Sequence, residues 1–250
     1  MAETGHGRAA RERMRVERAA TARRTRLRRR GLWAGAVAAV AVAGLVYATV
    51  RTPEDEAAGK PLIVPAHTAG QERTSVVYGK PDARHTLTVR TALNCPACHQ
   101  ADRTLGATLR GLADQGTYKI EYQLAAAPDG SPGDKSSRHT LNALGAAANT
   151  APTAFPQYLA LLLAPRPDTD SDAALLAIAD KVPGLRTPAF DKAVRDLTYL
   201  PWTAKLTRTH RPDTGALPTL TLNGTPLPLH TPDNHPLTPH QFTQQLRDRP

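Results

Sequence analysis

The chain has 250 residues, 40% of them hydrophobic, with a formal net charge of +10 and two cysteines. That hydrophobic share is enough for a buried core and argues against a disordered chain. Two cysteines exclude a disulfide-rich scaffold. The charge is unevenly placed, because residues 1–30 hold eleven arginines against three glutamates and the rest of the chain is nearly neutral. We therefore expect no extended basic surface and no nucleic-acid partner.

Residues 31–50 form an uncharged, apolar stretch directly after the arginine-rich tail. A helix of this length spans about 30 Å, the thickness of the hydrocarbon core of a bilayer. Trp33 and Tyr47 lie near its two ends, where aromatic rings prefer the membrane interface. We predict a single transmembrane anchor over 31–50, in contact with the lipid bilayer. The positive-inside rule then places the basic tail, residues 1–30, in the cytoplasm and the chain after Val50 outside it.

Two other interpretations of this N-terminus stay open. Val46 and Ala48 have the small-residue spacing of a signal-peptide cleavage site, although the apolar run exceeds the usual length of about 7–15 residues. Arg23 and Arg24 resemble a twin-arginine export signal, but Arg26 stands where an apolar residue is expected. The anchor explains the length of the run and its flanking charge together.

The segment after the anchor predicts a linker followed by an α/β domain. Residues 51–72 contain three prolines and an acidic run without helical or strand periodicity, which predicts an extended tether that holds the domain off the bilayer. The domain is predicted over residues 73–250. Its first half predicts strands at Ser75–Tyr78, Thr86–Thr91 and Thr117–Leu124 and a helix from Pro96 to about Asp114.

The middle of the domain predicts a helical block with breaks at prolines such as Pro201. Its Ala- and Leu-rich segments predict helices over 136–149, 154–164, 171–181, 188–198 and 202–209. The cap candidates for the third of these helices are Asp168, Ser171 and Asp172.

The C-terminal part predicts a hairpin and a closing helix. Strand character returns at Thr219–Leu222, ends at Asn223-Gly224 and resumes around Leu227–Leu229. Asn-Gly between two strand-like runs is a strong hairpin signal. The segment from Thr238 to Leu246 predicts the last helix.

The two cysteines stand together as Cys95-Pro96-Ala97-Cys98, after a predicted strand and at the start of a predicted helix. Pro96 suits the first helical position because that position needs no N–H group. Cys95 is then expected at the helix N-terminus, where free N–H groups and the helix dipole favour a thiolate. Thiols at such sites have pKa values of roughly 3.5–7.5. We expect Cys95 to attack and form mixed disulfides and Cys98, less exposed, to resolve them.

With Leu217-Pro218-Thr219 near its end, the domain resembles the thioredoxin fold. In that fold a cis-proline opens the strand that faces the cysteine pair, and Pro218 is the matching position. The long helical block between the two motifs, about residues 132–210, resembles the insertion of the DsbA-like branch. The resemblance implies a thioredoxin-like α/β fold with a helical insertion. It also implies that Pro218 shapes a substrate groove in which Leu217 and Thr219 contact an extended substrate.

The chain departs from the DsbA-like pattern in two places. An acidic and an aromatic residue usually precede the first cysteine, whereas this chain reads Thr91-Ala92-Leu93-Asn94. The buried carboxylate that assists proton transfer is therefore missing from its usual place, and Glu121 on the neighbouring strand is the candidate substitute. Leu217 stands before the proline where Thr or Val is more usual.

The cysteine motif has other interpretations. Cys95-Pro96-Ala97-Cys98-His99 also spells the haem c attachment motif, with His99 as the proximal ligand. A purely structural disulfide would close too short a loop to stabilise much. A zinc site would need a second pair of ligands that the sequence lacks. In the redox interpretation His99 faces solvent beside the site, and no metal or organic cofactor is required.

These observations lead to one expectation about function. We expect a membrane-anchored, extracytoplasmic thiol–disulfide oxidoreductase with Cys95, Cys98 and Pro218 at its site. The resemblance implies that it donates disulfides to exported thiol-containing proteins and that a membrane redox partner re-oxidises it. The alternative is a non-catalytic thioredoxin-fold binding module.

Overall fold

The computed structural model describes residues 57, 59–125, 136–164, 169, 171–210 and 216–248. The predicted tail, the predicted anchor and the first part of the predicted linker lie outside these residues, as does the cap candidate Asp168. Within the described residues, no helix is both long enough and apolar enough to cross a bilayer.

A six-stranded mixed sheet forms the centre of the fold. The strands are β1 (Thr68–Ala69), β2 (Ser75–Tyr78), β3 (His85–Ala92), β4 (Tyr118–Ala125), β5 (Thr219–Leu222) and β6 (Thr225–Leu227). Their order across the sheet is β1-β2-β4-β3-β5-β6, with β3 and β4 parallel and every other pair antiparallel. The three strands predicted in the first half are confirmed, and the alternation in β4 buries Ile120, Tyr122 and Leu124 as its pattern indicates.

The C-terminal hairpin forms at Asn223-Gly224, as predicted. Both residues have positive φ, 49° and 85°, which is the conformation that a two-residue hairpin turn needs and that Asn and Gly adopt most easily. Because the turn uses only these two residues, the returning strand begins directly at Thr225 and ends at Leu227. The prediction of a strand around Leu227–Leu229 was therefore displaced by two residues.

The helix predicted from Pro96 to Asp114 is present but changes its winding part-way. It consists of α1 (Pro96–Ala101), a π-helical segment (Asp102–Gly106) and α2 (Ala107–Asp114). The side chains of Leu105 and Leu109 face the core. Such π-helical turns are rare and occur frequently at functional sites.

The predicted helical block is also present. Its helices are α3 (Ser136–Thr150), α4 (Phe155–Leu162), α5 (Asp172–Ala179), α6 (Pro188–Arg195) and α7 (Leu200–Thr209). Ser171 caps α5 through a hydrogen bond from the Ala174 N–H group. Pro201 does not interrupt a helix, because it lies in the first turn of α7. Backbone N–H groups in the first turn have no acceptor within the helix, so a proline there removes no hydrogen bond. The closing helix, α8 (Pro239–Arg247), starts with a capping box between Thr238 and Gln241.

Part of the predicted linker belongs to the fold, which corrects the expectation of an extended tether over 51–72. In its described part, β1 pairs with β2 at the edge of the sheet. Pro65 is buried, and the Ala66 N–H group donates to Asn149 on α3. The Glu72 carboxylate lies 2.8 Å from Lys205 Nζ on α7. The segment therefore packs along the helical block instead of standing free.

Candidate active site

Cys95 is the N-cap residue of α1, as predicted. Its backbone is extended, and its sulfur accepts a hydrogen bond from the Cys98 N–H group at 3.1 Å. Pro96 takes a position in the first turn, and the sulfurs of Cys95 and Cys98 are joined in a disulfide. The same N–H group that caps the helix is placed to stabilise a Cys95 thiolate once the disulfide is reduced.

The structure brings the predicted C-terminal site residues to the cysteines. The Leu217–Pro218 peptide bond is cis, and the Leu217 carbonyl oxygen lies 3.8 Å from Cys95 Sγ. Pro218 and Thr219 line a pocket together with Cys98. All five predicted site residues therefore meet in one place, although 120 residues of sequence separate Cys98 from Pro218.

The two sulfurs have different surroundings. Cys98 is 1% exposed, whereas Cys95 is half-buried at the surface. Behind Cys98 lies a mainly apolar pocket, which we term the inner pocket, lined among others by Asp102, Leu105, Tyr122, Leu159, Leu163 and Pro218. Leu159 comes from α4, which packs on the π-helical segment, so the helical insertion closes one wall of the pocket. A thiol from another protein can reach Cys95 but not Cys98.

A second depression lies on the outer side of α1, and we term it the outer groove. It is lined by Ala97, Gln100, Ala101, Thr104, Leu105, Pro218, Leu229, His230, Pro236 and Leu237. Its lining is mostly apolar, and it begins beside Pro218. An extended peptide chain at Pro218 would meet apolar surface in this groove.

Asp102, which the sequence analysis missed, lines the inner pocket together with Cys98. Among the described residues that line the inner pocket, Asp102 is the only carboxylate. Burial raises the pKa of Asp102, and the nearby Arg110, Arg103 and His99 side chains oppose that rise. Glu121, the candidate from the sequence, is not part of the pocket, because neighbouring residues of a strand face opposite sides and Tyr122 occupies the pocket side. The signal for Asp102 was its place one helical turn after Cys98.

His99 does not project freely into solvent, which corrects the expectation from the sequence. Its ring is half-buried, and its Nε2 atom donates to the Leu93 carbonyl oxygen. The haem c interpretation would need both sulfurs and this imidazole, and in this structure all three are bonded within the chain. In the part of the chain that the structure describes, no group of three or more His, Cys, Asp or Glu side chains is placed to hold a metal ion.

Comparison with known proteins agrees with this geometry. A family model described as thioredoxin matches residues 71–248. The chain belongs to the thioredoxin family. No curated protein sequence matches the chain with significance.

Several solved structures have the same fold as this thioredoxin-family chain. MdbA, a thiol-disulfide oxidoreductase from Actinomyces oris, is 15% identical with a TM-score of 0.59, covering 80% of this chain and 97% of its own. DsbA from Mycobacterium tuberculosis is 20% identical with a TM-score of 0.53, covering 64% and 87%. DsbG from the same organism is 22% identical with a TM-score of 0.52, covering 72% and 87%. The predicted thioredoxin-like α/β fold with a helical insertion is confirmed, and it is the fold of the DsbA-like thiol–disulfide oxidoreductases.

Proposed function

We propose that this chain donates its Cys95–Cys98 disulfide to thiols of exported proteins outside the cytoplasm. The observation that carries the proposal is the asymmetry of the pair: Cys95 is reachable at a helix N-terminus, and Cys98 is buried behind it. The Leu217 carbonyl oxygen, just before β5 and close to Cys95, adds a backbone acceptor to which an extended substrate can hydrogen-bond.

The reaction follows from this arrangement. A substrate thiolate attacks Cys95 Sγ, the Cys95–Cys98 bond breaks, and its electron pair goes to Cys98 Sγ. A second substrate thiolate then attacks the mixed disulfide and releases Cys95, which the N-terminus of α1 stabilises as a thiolate. The substrate leaves oxidised, and the enzyme is left with two reduced cysteines.

The location and the partners are part of the same proposal. The arginine-rich tail followed by the uncharged stretch 31–50 supports a single-pass anchor in the cell membrane with the domain outside the cytoplasm. Disulfides persist in such compartments. Each donated disulfide must be regenerated, and we propose a membrane redox partner that accepts the two electrons. The mostly apolar outer groove is suited to bind proteins that are still unfolded, because unfolded chains expose apolar segments.

Trapping tests the assigned roles of the cysteines. In Cys98→Ala the Cys95 thiolate can attack a disulfide of an exported protein, whose other sulfur leaves as a thiolate, but no Cys98 thiol is present to displace the bound protein. Cys98→Ala should therefore accumulate mixed disulfides with exported proteins through Cys95. These should appear as high-mass bands on non-reducing gels and should vanish with reductant. Cys95→Ala is the matched control and should trap none, because Cys98 is buried. Equal trapping by both variants would show that the roles are wrong.

The reduction potential tests the direction of the reaction. Equilibration of the Cys95–Cys98 pair with glutathione should give a reduction potential nearer that of the oxidant DsbA, about −120 mV, than that of the reductant thioredoxin, about −270 mV. A pair that never exchanges with glutathione would instead support the non-catalytic binding module.

A further inference from the structure

The proposed reaction gives no role to His99, the residue that follows the cysteine pair. It is the fourth residue of α1, and its ring is half-buried. The Nε2 atom of the ring donates to the Leu93 carbonyl oxygen, which lies before the helix in the chain. We term this contact between the His99 ring and the Leu93 carbonyl the clamp.

The clamp closes over the short segment that joins β3 to α1. Strand β3 ends at Ala92 and Cys95 caps α1, so Leu93 and Asn94 are the two residues between them. The His99 N–H group donates to the Cys95 carbonyl oxygen at 3.1 Å, which is the ordinary bond of a helical turn. The clamp is made in addition to that bond, and it reaches two residues further back, to Leu93. His99 therefore holds the chain on both sides of Asn94.

The Leu93 end of the clamp is attached to the sheet and the core. Leu93 directly follows the buried Ala92 at the end of β3, and its own side chain packs against the hydrophobic core. The clamp therefore ties the first turn of α1 to a fixed point of the domain. Cys95, which carries the reactive sulfur, lies between the two tied points.

We propose that His99 is a positioning residue, which holds Cys95 in the arrangement from which the disulfide forms. The inference rests on the proposed function, because the position of Cys95 matters for exchange only if the pair opens and closes. In the oxidised protein the bond between the two sulfurs itself fixes Cys95 against Cys98. In the reduced protein that bond is absent, and the clamp keeps Cys95 beside Cys98.

Such positioning favours the disulfide. A reduced chain that already has the geometry of the disulfide loses little conformational freedom when the sulfurs join. Without the clamp the reduced chain gains conformations that the oxidised chain cannot adopt, so the disulfide becomes easier to reduce. The Cys95 thiolate also spends less time beside the Cys98 N–H group, which bonds its sulfur in this structure, and is less stabilised there.

The combination of these two effects distinguishes positioning from an electrostatic effect of the ring. If His99 acted on Cys95 through its charge or dipole, losing it would make the thiolate less favourable and the disulfide harder to reduce. Losing the clamp also makes the thiolate less favourable, but it makes the disulfide easier to reduce.

Three variants of the full-length protein test the clamp. His99→Leu removes the donor and keeps an apolar side chain of moderate size. His99→Gln restores an N–H donor, because its amide nitrogen is as many bonds from Cα as the Nε2 atom of histidine. His99→Asn carries the same amide one bond closer to the backbone, where it does not reach the Leu93 carbonyl, and is the matched control for His99→Gln.

The first measurement is the equilibrium with glutathione, in which two glutathione thiols form glutathione disulfide and the Cys95–Cys98 pair takes up the two electrons and two protons. His99→Leu and His99→Asn should shift the equilibrium constant about tenfold toward the reduced pair, which raises the potential by about 30 mV. A tenfold shift is on the order of the free-energy cost of ordering one backbone residue. His99→Gln should stay close to the wild type.

The second measurement is the rate of alkylation of the reduced protein by iodoacetamide as a function of pH. The reagent reports on Cys95, because Cys98 is 1% exposed. The midpoint of this profile should lie at higher pH in His99→Leu and His99→Asn than in the wild type and His99→Gln.

Two control variants leave the clamp intact. His240→Leu makes the same substitution at an exposed histidine on α8. Asn142→Ala removes a buried hydrogen bond to the Tyr199 N–H group within the helical insertion, so it lowers stability without touching the segment before Cys95. Both variants should leave the two measurements unchanged, which separates the clamp from a general loss of stability.

The outcomes are distinct. A folded His99→Asn protein with the wild-type equilibrium constant would overturn the inference and leave the proposed function intact. A disulfide that becomes harder to reduce, or a His99→Gln protein that behaves like His99→Asn, would also overturn it. A wild-type disulfide that glutathione never reduces would instead overturn the proposed function. Circular dichroism verifies folding, and the pair of His99→Asn and His99→Gln decides the question if His99→Leu does not fold.

Discussion

At the residue scale, the site depends on contrasts between neighbours in sequence. Cys95 and Cys98 are three residues apart, yet one is half-buried at the surface and the other is 1% exposed. The difference follows from the helix, because Cys95 caps it and Cys98 is one turn inside, facing the core. This difference in accessibility supports the proposed roles of the cysteines. The same helical periodicity places Asp102, and not a residue before the motif, in the lining of the inner pocket.

The raised pKa of Asp102 predicts a pH-dependent effect on stability. Burial makes the folded protein bind the Asp102 proton more tightly than the unfolded chain does. The stability gained from that proton is complete below the unfolded pKa, about 3.9, and is lost as pH rises through the higher folded pKa. The asparagine in Asp102→Asn does not ionise, so this variant does not lose stability in this way as pH rises. Its melting temperature should therefore exceed that of the wild type at pH 7.

The control for this prediction is the same pair of proteins at pH 3. There both side chains at position 102 are uncharged, so the difference in melting temperature should shrink toward zero. Thermal unfolding followed by circular dichroism between pH 3 and pH 8 measures it. A difference that is constant over this range would contradict the assignment of a buried, titrating carboxyl group.

At the element scale, one buried amide connects the helices of the insertion. Asn142 on α3 is fully buried. Its Nδ2 atom donates to the Ala193 and Val194 carbonyl oxygens at the end of α6, and its Oδ1 atom accepts from the Tyr199 N–H group at 2.8 Å, just before α7. The amide thus provides hydrogen-bond partners for backbone groups of the turn between α6 and α7, and both of these helices pack on α3.

Asn142→Ala should lower the free energy of unfolding by about 2–3 kcal/mol. The carbonyl groups of Ala193 and Val194 also accept from backbone N–H groups of the same turn, but the Tyr199 N–H group would lose the acceptor that Asn142 provides. Chemical denaturation with urea measures the change. Gln157→Ala, on the exposed face of α4, is the control and should stay within about 0.5 kcal/mol of the wild type. Equal effects of the two would show that Asn142 carries no special contribution.

The elements that the sequence predicted are those with local causes. The alternation of β4, the Ser171 cap of α5 and the Asn223-Gly224 turn each arise within a few residues. What the sequence did not predict depends on tertiary contacts. The π-helical winding that makes room for Asp102 at Gly106 and the role of Asn142 across three helices have no local pattern. Pro201 was misjudged because a proline can start a helix as readily as it ends one.

At the whole-molecule scale, the site is assembled by long-range topology. Between Cys98 and Pro218 the chain passes through β4 and the helical insertion, and it returns to the sheet as β5, beside β3. Because β3 leads directly into the cysteine motif, this pairing places Pro218 next to Cys95. The insertion also contributes one wall of the inner pocket, through Leu159 on α4. The cysteine pair and the cis-proline could be matched from the sequence only through the family resemblance.

The segment before β2 is predicted to stabilise the whole domain. It covers the insertion, and the indole N–H group of the fully buried Trp202 donates to the Arg73 carbonyl oxygen at 2.9 Å. A chain that starts at Thr74 loses this acceptor, β1 and the ion pair between Glu72 and Lys205. Compared with a chain that starts at Gly59, it should lose at least about 2 kcal/mol of stability.

For a domain of this size that loss corresponds to a melting temperature lower by about 4–8 °C. Using the chain from Gly59 as the reference isolates the described contacts, since both chains lack everything before residue 59. If the segment were only a tether, as the sequence suggested, the two chains would melt at the same temperature. Glu72→Gln in the longer chain is the control: it removes only a surface ion pair and should cost less than about 1 kcal/mol, which leaves the main loss to the backbone contacts and β1.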